Sequence, residues 1–506
     1  MNEFLQQNVL TLILLSPVVA TFLLFFVNAK NKAAIRFIGV GSAVITTALS
    51  IWLFFSYDQA VSGFQFVQKI PWVPSLGVAY QVGADGISVA MVMLTTIVFL
   101  AGGLISWTID SRLKDFYILL CALVSGVFGV FVSLDLFFFY FFYELAVVPM
   151  YLLIGYWGST NREYATMKLT LYLTAGAVVA LIGLLMLYFS GITPEPTFDL
   201  LAMREAVAAG GGLSLTQQNV LFPILLVGFA TIAPMWPLHS WSPGGHAAAP
   251  AAASMMHAGV LMKLGSYAII RIGMSVLPEG AITWLPWVAL LCCFNIIYGG
   301  YVAMSQRDMK FVIGYSSSSH MGYVLLGIAS ISVIGTSGAV FLMFAHGIMT
   351  ALAFALIGFF YDQTHTRMLD DLGGMMQQIP FVGVLFVMTA MASLGLPGFA
   401  NFASELMVLV GSWDIYPVAT ILAIFGLVIG ATYLLRTVKT AFLGPANPRW
   451  DNLKDAVTIR ERLPFLILLG TLLLFGFYPP PLVDLIETGV TPIVDMLQAA
   501  KAGLGG

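Results

Sequence analysis

Long apolar runs separated by short polar stretches follow one another along almost the whole chain. Because the lipid core is about 30 Å thick, a helix needs about 20 apolar residues to cross it, and this rule predicts about fourteen spans here. Their centres fall near residues 18, 46, 96, 124, 146, 178, 228, 262, 292, 321, 348, 394, 426 and 471. The pattern therefore predicts an all-α polytopic membrane protein.

Composition supports this fold class. Of the 506 residues, 59% are apolar and 9% are charged, whereas soluble domains carry about 25% charged residues. Most of the surface must therefore face lipid, and the net charge of −3 argues against a nucleic-acid partner. Cys121, Cys292 and Cys293 form no CxxC pair, which argues against a disulfide framework, a zinc site or an iron–sulfur cluster. The first apolar run, residues 9–27, follows an acidic start and is predicted to be a retained helix.

Two predicted spans are interrupted by proline and glycine. The seventh contains Pro234 and Pro237, and the twelfth contains Pro397 between two glycines. Unwound backbone at membrane depth is tolerated only where protein or a wet cavity satisfies it. Broken helices five spans apart predict two inverted five-helix repeats, spans 4–8 and 9–13. The simpler alternative is that these prolines only kink their helices.

These repeats divide a single transmembrane domain, residues 1–506. The predicted parts are three N-terminal spans in 1–110, a first repeat in 111–275, a second repeat in 280–440, and a cytoplasmic surface segment with the last span in 441–506. A loop around 190–219, which contains Thr-Pro-Glu-Pro and Gly-Gly-Gly, is predicted on the external side.

Orientation follows from the basic residues, which favour cytoplasmic connections. The odd-numbered connections hold Lys30, Lys32, Arg36, Arg112, Lys114, Arg162, Lys168, Arg307, Lys310, Arg367, Arg436, Lys439, Arg449, Lys454, Arg460 and Arg462. The even-numbered connections and the tails hold Lys69, Arg204, Arg271 and Lys501. This asymmetry predicts that both termini lie on the non-cytoplasmic side.

Titratable side chains lie within several predicted spans, namely Glu144, Lys263, His320, His346 and Glu405. A charge at bilayer depth costs about 2.5–3.5 kcal/mol, so such groups face protein or water. An acid, an amine, two imidazoles and a second acid on spans 5, 8, 10, 11 and 12 suit a proton path better than a solute pocket.

Each of these groups also has a structural alternative. Glu144 could join two helices as a protonated acid, Lys263 could form a fixed ion pair, and a lone buried histidine is more often a simple hydrogen-bonding residue. Two further candidates are His257, six residues before Lys263, and Asp135, nine residues before Glu144. We expect Asp135 near the cytoplasmic start of its span, about 13 Å from Glu144 along the helix, as a point where protons are taken up.

Several strings carry a family resemblance. They are Asp135-Leu-Phe-Phe-Phe-Tyr, Tyr143-Glu-Leu-Ala-Val-Val-Pro, Pro234-Met-Trp-Pro-Leu-His-Ser-Trp, Gly259-Val-Leu-Met-Lys-Leu-Gly, Tyr315-Ser-Ser-Ser-Ser-His-Met-Gly and Ser393-Leu-Gly-Leu-Pro-Gly. As a set they resemble the antiporter-like subunit M family of proton-translocating NADH:quinone oxidoreductase, bacterial complex I. The related subunit L usually adds a long lateral C-terminal helix, which we do not expect here.

The resemblance implies a half-channel from the cytoplasm near Glu144, a central Lys263 and an exit near Glu405. It implies a bacterial inner-membrane location and neighbouring membrane subunits, especially L and N. It also implies that NADH, FMN, iron–sulfur clusters and quinone bind to partner subunits, with no cofactor or metal on this chain.

One departure from the family pattern affects the first half of the chain. The family usually has a lysine two residues before Pro234, as the partner of the fifth-helix glutamate, and this sequence has Ile232 there. Either Glu144 keeps its proton at rest, or another base serves it, or coupling is weak. His257 is the candidate substitute base.

Three other functions stay open at this point. The chain could be a subunit of a multi-subunit cation/proton antiporter or of a proton-pumping membrane hydrogenase. It could be a solute carrier, although no cluster of varied hydrogen-bonding groups accompanies the helix breaks. It could also be a non-pumping structural paralogue, which Ile232 would suit.

The orientation can be tested with a reporter that is active only in the cytoplasm. Fused to Gly506, it should give no signal, because the basic connections predict a non-cytoplasmic C-terminus. A strong signal would mean that the number of spans is odd or that the orientation is reversed.

Overall fold

The computed structural model describes residues 2–61 and 63–504, most of which are helical. Ten helices in this part of the chain are long and apolar enough to cross a membrane, or eleven if one bent pair counts as a span. The all-helical membrane fold is therefore confirmed, whereas the count of fourteen is not. The predicted centres near 262, 321, 394 and 471 fall on helices that are interrupted, serine-rich or bent.

The N-terminal part contains a β-hairpin that the sequence analysis did not predict. Its elements are α1 (Asn2–Phe26), α2 (Lys32–Ser56), β1 (Gln65–Val73), β2 (Val78–Ala84) and α3 (Gly86–Ile105). The strands pair antiparallel. β2 is largely buried, β1 is largely exposed, and Gln68 of β1 donates to Asn8 of α1 at 3.0 Å. The hairpin thus covers the ends of neighbouring helices.

The first predicted repeat contains one broken helix. Its elements are α4 (Leu113–Val132), α5 (Leu136–Trp157), α6 (Arg162–Tyr188), α7 (Leu200–Ala208), α8 (Leu215–Ile232), α9 (Trp241–Ala248), α10 (Ala251–Met256) and α11 (Lys263–Ala268). The break between α8 and α9 contains both predicted prolines. α11 lies between two π-helical segments, His257–Leu261 and Ile269–Met274.

The second predicted repeat contains the other broken helix. Its elements are α12 (Pro278–Ser305), α13 (Met309–Ala329), α14 (Val333–Thr364), α15 (Met375–Gln378), α16 (Pro380–Ser393), α17 (Ala400–Trp413) and α18 (Pro417–Ala441). α16 ends just before Gly395, and α17 begins after Gly398; both glycines have positive φ. The apolar part of α14 is completely buried, so this helix forms the centre of the molecule.

The chain continues beyond the last predicted span into a helix that the sequence analysis missed. α19 (Ile459–Phe477) and α20 (Pro480–Leu504) meet at a bend of 78°. α20 buries Leu482, Leu485, Ile486, Gly489, Val490, Ile493, Val494 and Leu497. This helical spacing marks one apolar face, which packs across the start of α3.

The connections between helices lie on two opposite faces of the molecule, called here the basic face and the hairpin face. The basic face carries the connections 27–31, 106–112, 158–161, 365–374 and 442–458; there Lys32 pairs with Asp110, and Arg307 pairs with Asp370, each at 2.6 Å. The hairpin face carries β1, β2, α7 and α20. The beginning of α1 and the whole of α20 both lie on the hairpin face. Gly506 lies outside the described residues, and the compartment on each side stays a prediction.

Arg271 occupies a different position from the one predicted. The sequence analysis assigned it to an external connection, but it is fully buried in the second π-helical segment. Its guanidinium donates to both carboxylate oxygens of Asp85, at 2.7 and 2.6 Å, and to the Tyr267 hydroxyl at 3.1 Å. Asp85 also caps α3, and a Cβ at Gly489 of α20 would lie 2.9 Å from its carboxylate. The Arg271–Asp85 ion pair thus joins the second π-helical segment, the start of α3 and α20.

We predict that Asp85→Asn destabilises the protein by about 3–5 kcal/mol, because it leaves a buried guanidinium without its counter-charge. The melting temperature of the purified complex and the amount assembled in membranes should both fall. Adding Arg271→Gln should restore part of the loss, because the uncompensated charge is then removed. Asp370→Asn is the control, since its pair with Arg307 is exposed. Equal effects at Asp85 and Asp370 would contradict the structural importance of the buried pair.

Candidate functional site

Lys263 lies at the first residue of α11 and is completely buried. Its Nζ donates to the carbonyl of Ala258, within the preceding π-helical segment, and lies 2.9 Å from Nδ1 of His346 on α14. No carboxylate bonds to this amine among the described residues. Lys263 and His346, both predicted from the sequence, are therefore brought into direct contact.

His320 and Glu405 continue the row from His346. The His346 and His320 rings stack with centroids 5.2 Å apart. Nε2 of His320 lies 3.5 Å from Oε1 of Glu405 and 3.2 Å from the carbonyl of Ser393, at the end of α16. Its Nδ1 lies 2.8 Å from the Ser316 carbonyl. Both ring nitrogens face acceptors, so a protonated ring can donate to each side.

The helix break brings Glu405 into this row. A Cβ added at Gly395 would meet Oε2 of Glu405, so an alanine at this position would force the carboxyl group to shift. Gly395 also has a φ of +64°, which favours glycine. The unwound segment thus supplies both a free carbonyl at Ser393 and room for the acid.

Several buried polar atoms around Glu405 form no hydrogen bond with the described part of the chain. They are Oε1 of Glu405, both side-chain polar atoms of Asn401, Oγ of Ser393 and Nε2 of His346. Buried polar groups are normally satisfied, and ordered water is the usual partner where protein groups are missing. The cluster is therefore suited to hold water beside Glu405, which a proton leaving the row needs.

His257 lies on the other side of Lys263, where its ring contacts a histidine that the sequence analysis did not select. The His257 and His246 rings have centroids 4.1 Å apart, and Trp241 lies 5.3 Å from His257. His246 contacts Ser242 at 3.0 Å through Nε2. The spacing of Ser242 and His246, four residues apart just after a helix break, is a signal that could have identified His246.

Glu144 does not join this cluster. On α5 it shares a helical stripe with Phe141 and Val148, whose side chains are 50% and 56% exposed. Tyr140, one turn earlier, lies against its carboxyl group. Among the described residues, no hydrogen bond or ring contact links Glu144 to His257. His257 is therefore not placed to replace the base that the family pattern expects beside Glu144.

Ile232, which stands where the family usually has a lysine, packs against Gly265 of α11. It is fully buried, and its Cγ2 would lie 2.6 Å from a Cβ at Gly265 of α11. The side chain thus fills the space opposite α11, two residues beyond Lys263.

Asp135 lies on the hairpin face, opposite the basic face that the basic residues predict to be cytoplasmic. Its carboxylate caps α5 by accepting from the backbone N–H groups of Phe137 and Phe138 and from Ala79 of β2, at 2.9, 3.1 and 2.9 Å. The backbone of Asp135 forms an isolated antiparallel bridge with Asp199, which lies in the loop predicted to be external. Three backbone donors explain this carboxylate as a structural cap.

Lys310 is also placed differently from the sequence-based assignment, which counted it among the basic loop residues. It is 3% exposed, near the start of α13. Its Nζ donates to the Ala249 carbonyl at 2.6 Å and to Ser254 Oγ at 3.4 Å. The sequence gives no sign of this burial, because the α9–α10 link that encloses the side chain is distant along the chain.

The arrangement can pass protons but shows no site for a metal ion. In ranges 2–61 and 63–504, no three His, Cys, Asp or Glu side chains lie close enough together to hold one. The row Lys263–His346–His320–Glu405 instead places four titratable groups in sequence through the enclosed centre of the molecule. Each of these four side chains can in principle accept and release a proton.

The chain resembles known proteins over most of its length. Residues 133–430 match the family model described as NADH:quinone oxidoreductase/Mrp antiporter, TM. The chain is 37% identical to NAD(P)H-quinone oxidoreductase chain 4 of Acaryochloris marina, covering 97% of this chain and 92% of that one. It is 34% identical to NADH-quinone oxidoreductase subunit M of Rhodobacter capsulatus, covering 98% of both.

Solved structures also resemble this chain over nearly its whole length. A chain of respiratory complex I from Thermus thermophilus superposes with a TM-score of 0.86 at 27% identity, over 96% of this chain and 99% of that one. A chain of the Mrp complex from Dietzia sp. DQ12-45-1b gives 0.83 at 20% identity, over 97% and 98%, a likeness in fold alone. Together with the row of buried titratable groups, these matches show that the chain belongs to the NADH:quinone oxidoreductase/Mrp antiporter family of membrane subunits.

Proposed function

We propose that this chain is the proton-translocating, M-type membrane subunit of an NADH:quinone oxidoreductase. The observation that carries this proposal is the buried row from Lys263 to Glu405. A group inside a membrane protein that can change its charge is costly and is normally retained for transport of ions or protons. Relatives that match nearly the whole chain carry subunit M or chain 4 names, which supports the same assignment.

The chain contributes proton movement, whereas the redox chemistry belongs to its partners. NADH, FMN, iron–sulfur clusters and quinone are assigned to partner subunits, and subunits L and N are the expected membrane neighbours. We further propose a bacterial inner-membrane location, with the basic face toward the cytoplasm. Moving one charge against 100 mV costs about 2.3 kcal/mol, which quinone reduction in the partner subunits would supply.

Lys263→Ala tests this function directly. The complex should assemble, because alanine leaves α11 intact, but proton pumping should fall by roughly a hundredfold, the contribution expected of a positioned acid–base group. Pumping is measured as acidification of inverted membrane vesicles driven by NADH, together with quinone reduction. Lys439→Ala, on an exposed position of α18, is the matched control. Normal pumping by fully assembled Lys263→Ala would instead favour a non-pumping structural subunit.

Gly395→Ala tests the connection between the helix break and Glu405. The added Cβ would collide with Oε2 of Glu405, so pumping should fall while the complex still assembles. Gly398→Ala is the control because its φ is also positive, at +98°, but its nearest neighbour would be Phe477 at 3.2 Å. Backbone strain of about 1–2 kcal/mol is common to both variants. Equal loss of pumping in both would assign the effect to strain and not to Glu405.

A further inference from the structure

A cavity of about 260 Å³ opens on the basic face. It lies among the ends of α3 and α14, the start of α19, and the link between α9 and α10. Its walls include Thr108, Trp157, Ser159, Asp362 and Glu461, and Lys310 lies at its inner end. The cavity has polar groups and room for several waters. None of the groups predicted from the sequence as proton carriers lines it.

Lys310 is a buried amine that bonds to no carboxylate in ranges 2–61 and 63–504. The nearest acid along the helix, Asp308, is already engaged, because one oxygen caps α13 and the other accepts from Arg367 at 2.6 Å. The described polar contacts of the Lys310 amine are the Ala249 carbonyl and the Ser254 hydroxyl. A buried charge without an ionic partner is costly. Lys310 is thus suited to gain and lose a proton and not to hold a permanent charge.

Asp362 stands at the mouth of the same cavity. Its side chain is exposed, and its one described hydrogen bond is with the Thr108 hydroxyl at 3.4 Å. Glu461, the other acid in the wall, accepts from backbone N–H groups at Val457 and Thr458 and is committed to capping α19. Asp362 is therefore the acid in the wall that can exchange protons with water.

Ser254 connects the inner end of the cavity with the histidine pair. Its hydroxyl donates to the carbonyl of His246 at 2.9 Å and approaches Lys310 at 3.4 Å. The His246 ring then contacts His257, and the amine of Lys263 turns back to the carbonyl of Ala258, next to His257. Ser254, His246 and His257 thus lie between Lys310 and the central amine, away from Glu144, although the Ser254 hydroxyl bonds to the backbone of His246 and not to its ring.

We propose that protons are taken up through this cavity, with Asp362 as the collecting group and Lys310 as the first buried acceptor. The Asp362 carboxylate binds a proton from water and releases it through cavity water to the neutral Lys310 amine. The resulting ammonium gives the proton inward, toward His246 and His257, and returns to the neutral amine. This proposal rests on the proposed function, and it assigns to the cavity the uptake that the family resemblance places near Glu144.

Two substitutions separate proton transfer from structural support. Lys310→Arg keeps a cation that can donate to Ala249, but a guanidinium does not release its proton. Lys310→Met removes the charge. Both variants should assemble and lose pumping by roughly a hundredfold, and Asp362→Asn should lower the pumping rate as well. Asp370→Asn, an exposed acid on the same face that pairs with Arg307, should pump normally. Normal pumping by Lys310→Arg would overturn the proposal.

A labelling experiment keeps the proposal testable even if the Lys310 variants fail to assemble. Thr108→Cys places a thiol in the cavity wall, and Ser111→Cys places one nearby on the same face outside it. The native Cys121, Cys292 and Cys293 are buried. A bulky, membrane-impermeant thiol reagent should stop pumping in the labelled Thr108→Cys complex and leave the labelled Ser111→Cys complex active. Unchanged pumping after complete labelling at both positions would overturn the cavity as the uptake route.

The Lys263→Ala complex distinguishes failure of this proposal from failure of the proposed function. If Lys263→Ala stops pumping while the Lys310 and Asp362 variants pump normally, the uptake route is wrong and the function stands. If Lys263→Ala itself pumps normally, the proposed function fails and the uptake proposal fails with it.

Discussion

The contact between Lys263 and His346 constrains the rest of the structure. Their nitrogens lie 2.9 Å apart, both side chains are fully buried, and no carboxylate bonds to the amine among the described residues. At that distance one nitrogen must donate and the other must accept, since two cations would repel each other strongly at low dielectric. In the proposed proton path, the pair therefore carries one extra proton at a time, and the next arrives as the first moves on to the next group in the row.

Because two neighbouring cations would repel each other, backbone carbonyls and histidine rings surround the Lys263–His346 pair. The π-helical turn before Lys263 presents the Ala258 carbonyl to the amine, and α14 presents His346 from a fully enclosed helix. His320 follows at stacking distance. Carbonyls stabilise a positive charge without trapping it as a carboxylate would, so the charge can move along the row. The acid, Glu405, comes only at the far end.

The two halves of the chain contribute unequally to the site. The second repeat supplies His320, His346 and Glu405, all in contact with their neighbours in the row. In the first repeat, the expected lysine is Ile232, packed against Gly265, and Glu144 lies on an outward-facing stripe of α5. The first half therefore contributes a broken helix that shapes the site. Its main titratable side chains near the row are His246, His257 and Lys263.

The sequence was sufficient for features that depend on residues close together in the chain. Apolar runs identified the membrane fold, and the prolines and glycines located both helix breaks. It was insufficient where distant segments decide the environment. Arg271 is buried because Asp85 and α20 enclose it, and Lys310 because the α9–α10 link covers it. The sequence also does not show that the Asp135 carboxylate caps α5 and accepts from three backbone N–H groups, because one of the donors, Ala79, is distant along the chain.

The break between α16 and α17 shows how an irregular backbone can direct a proton. Nε2 of His320 lies 3.2 Å from the freed carbonyl of Ser393 and 3.5 Å from the carboxyl group of Glu405. The carbonyl is a fixed dipole, whereas the carboxyl group attracts the histidine proton strongly only while it is ionised. In the proposed proton path, Glu405 becomes the stronger acceptor when it gives up its proton, and it then draws the next proton from His320. While Glu405 is protonated, the Ser393 carbonyl keeps the histidine ring in place, so under this proposal one helix break both holds the ring and lets Glu405 determine when the ring releases its proton.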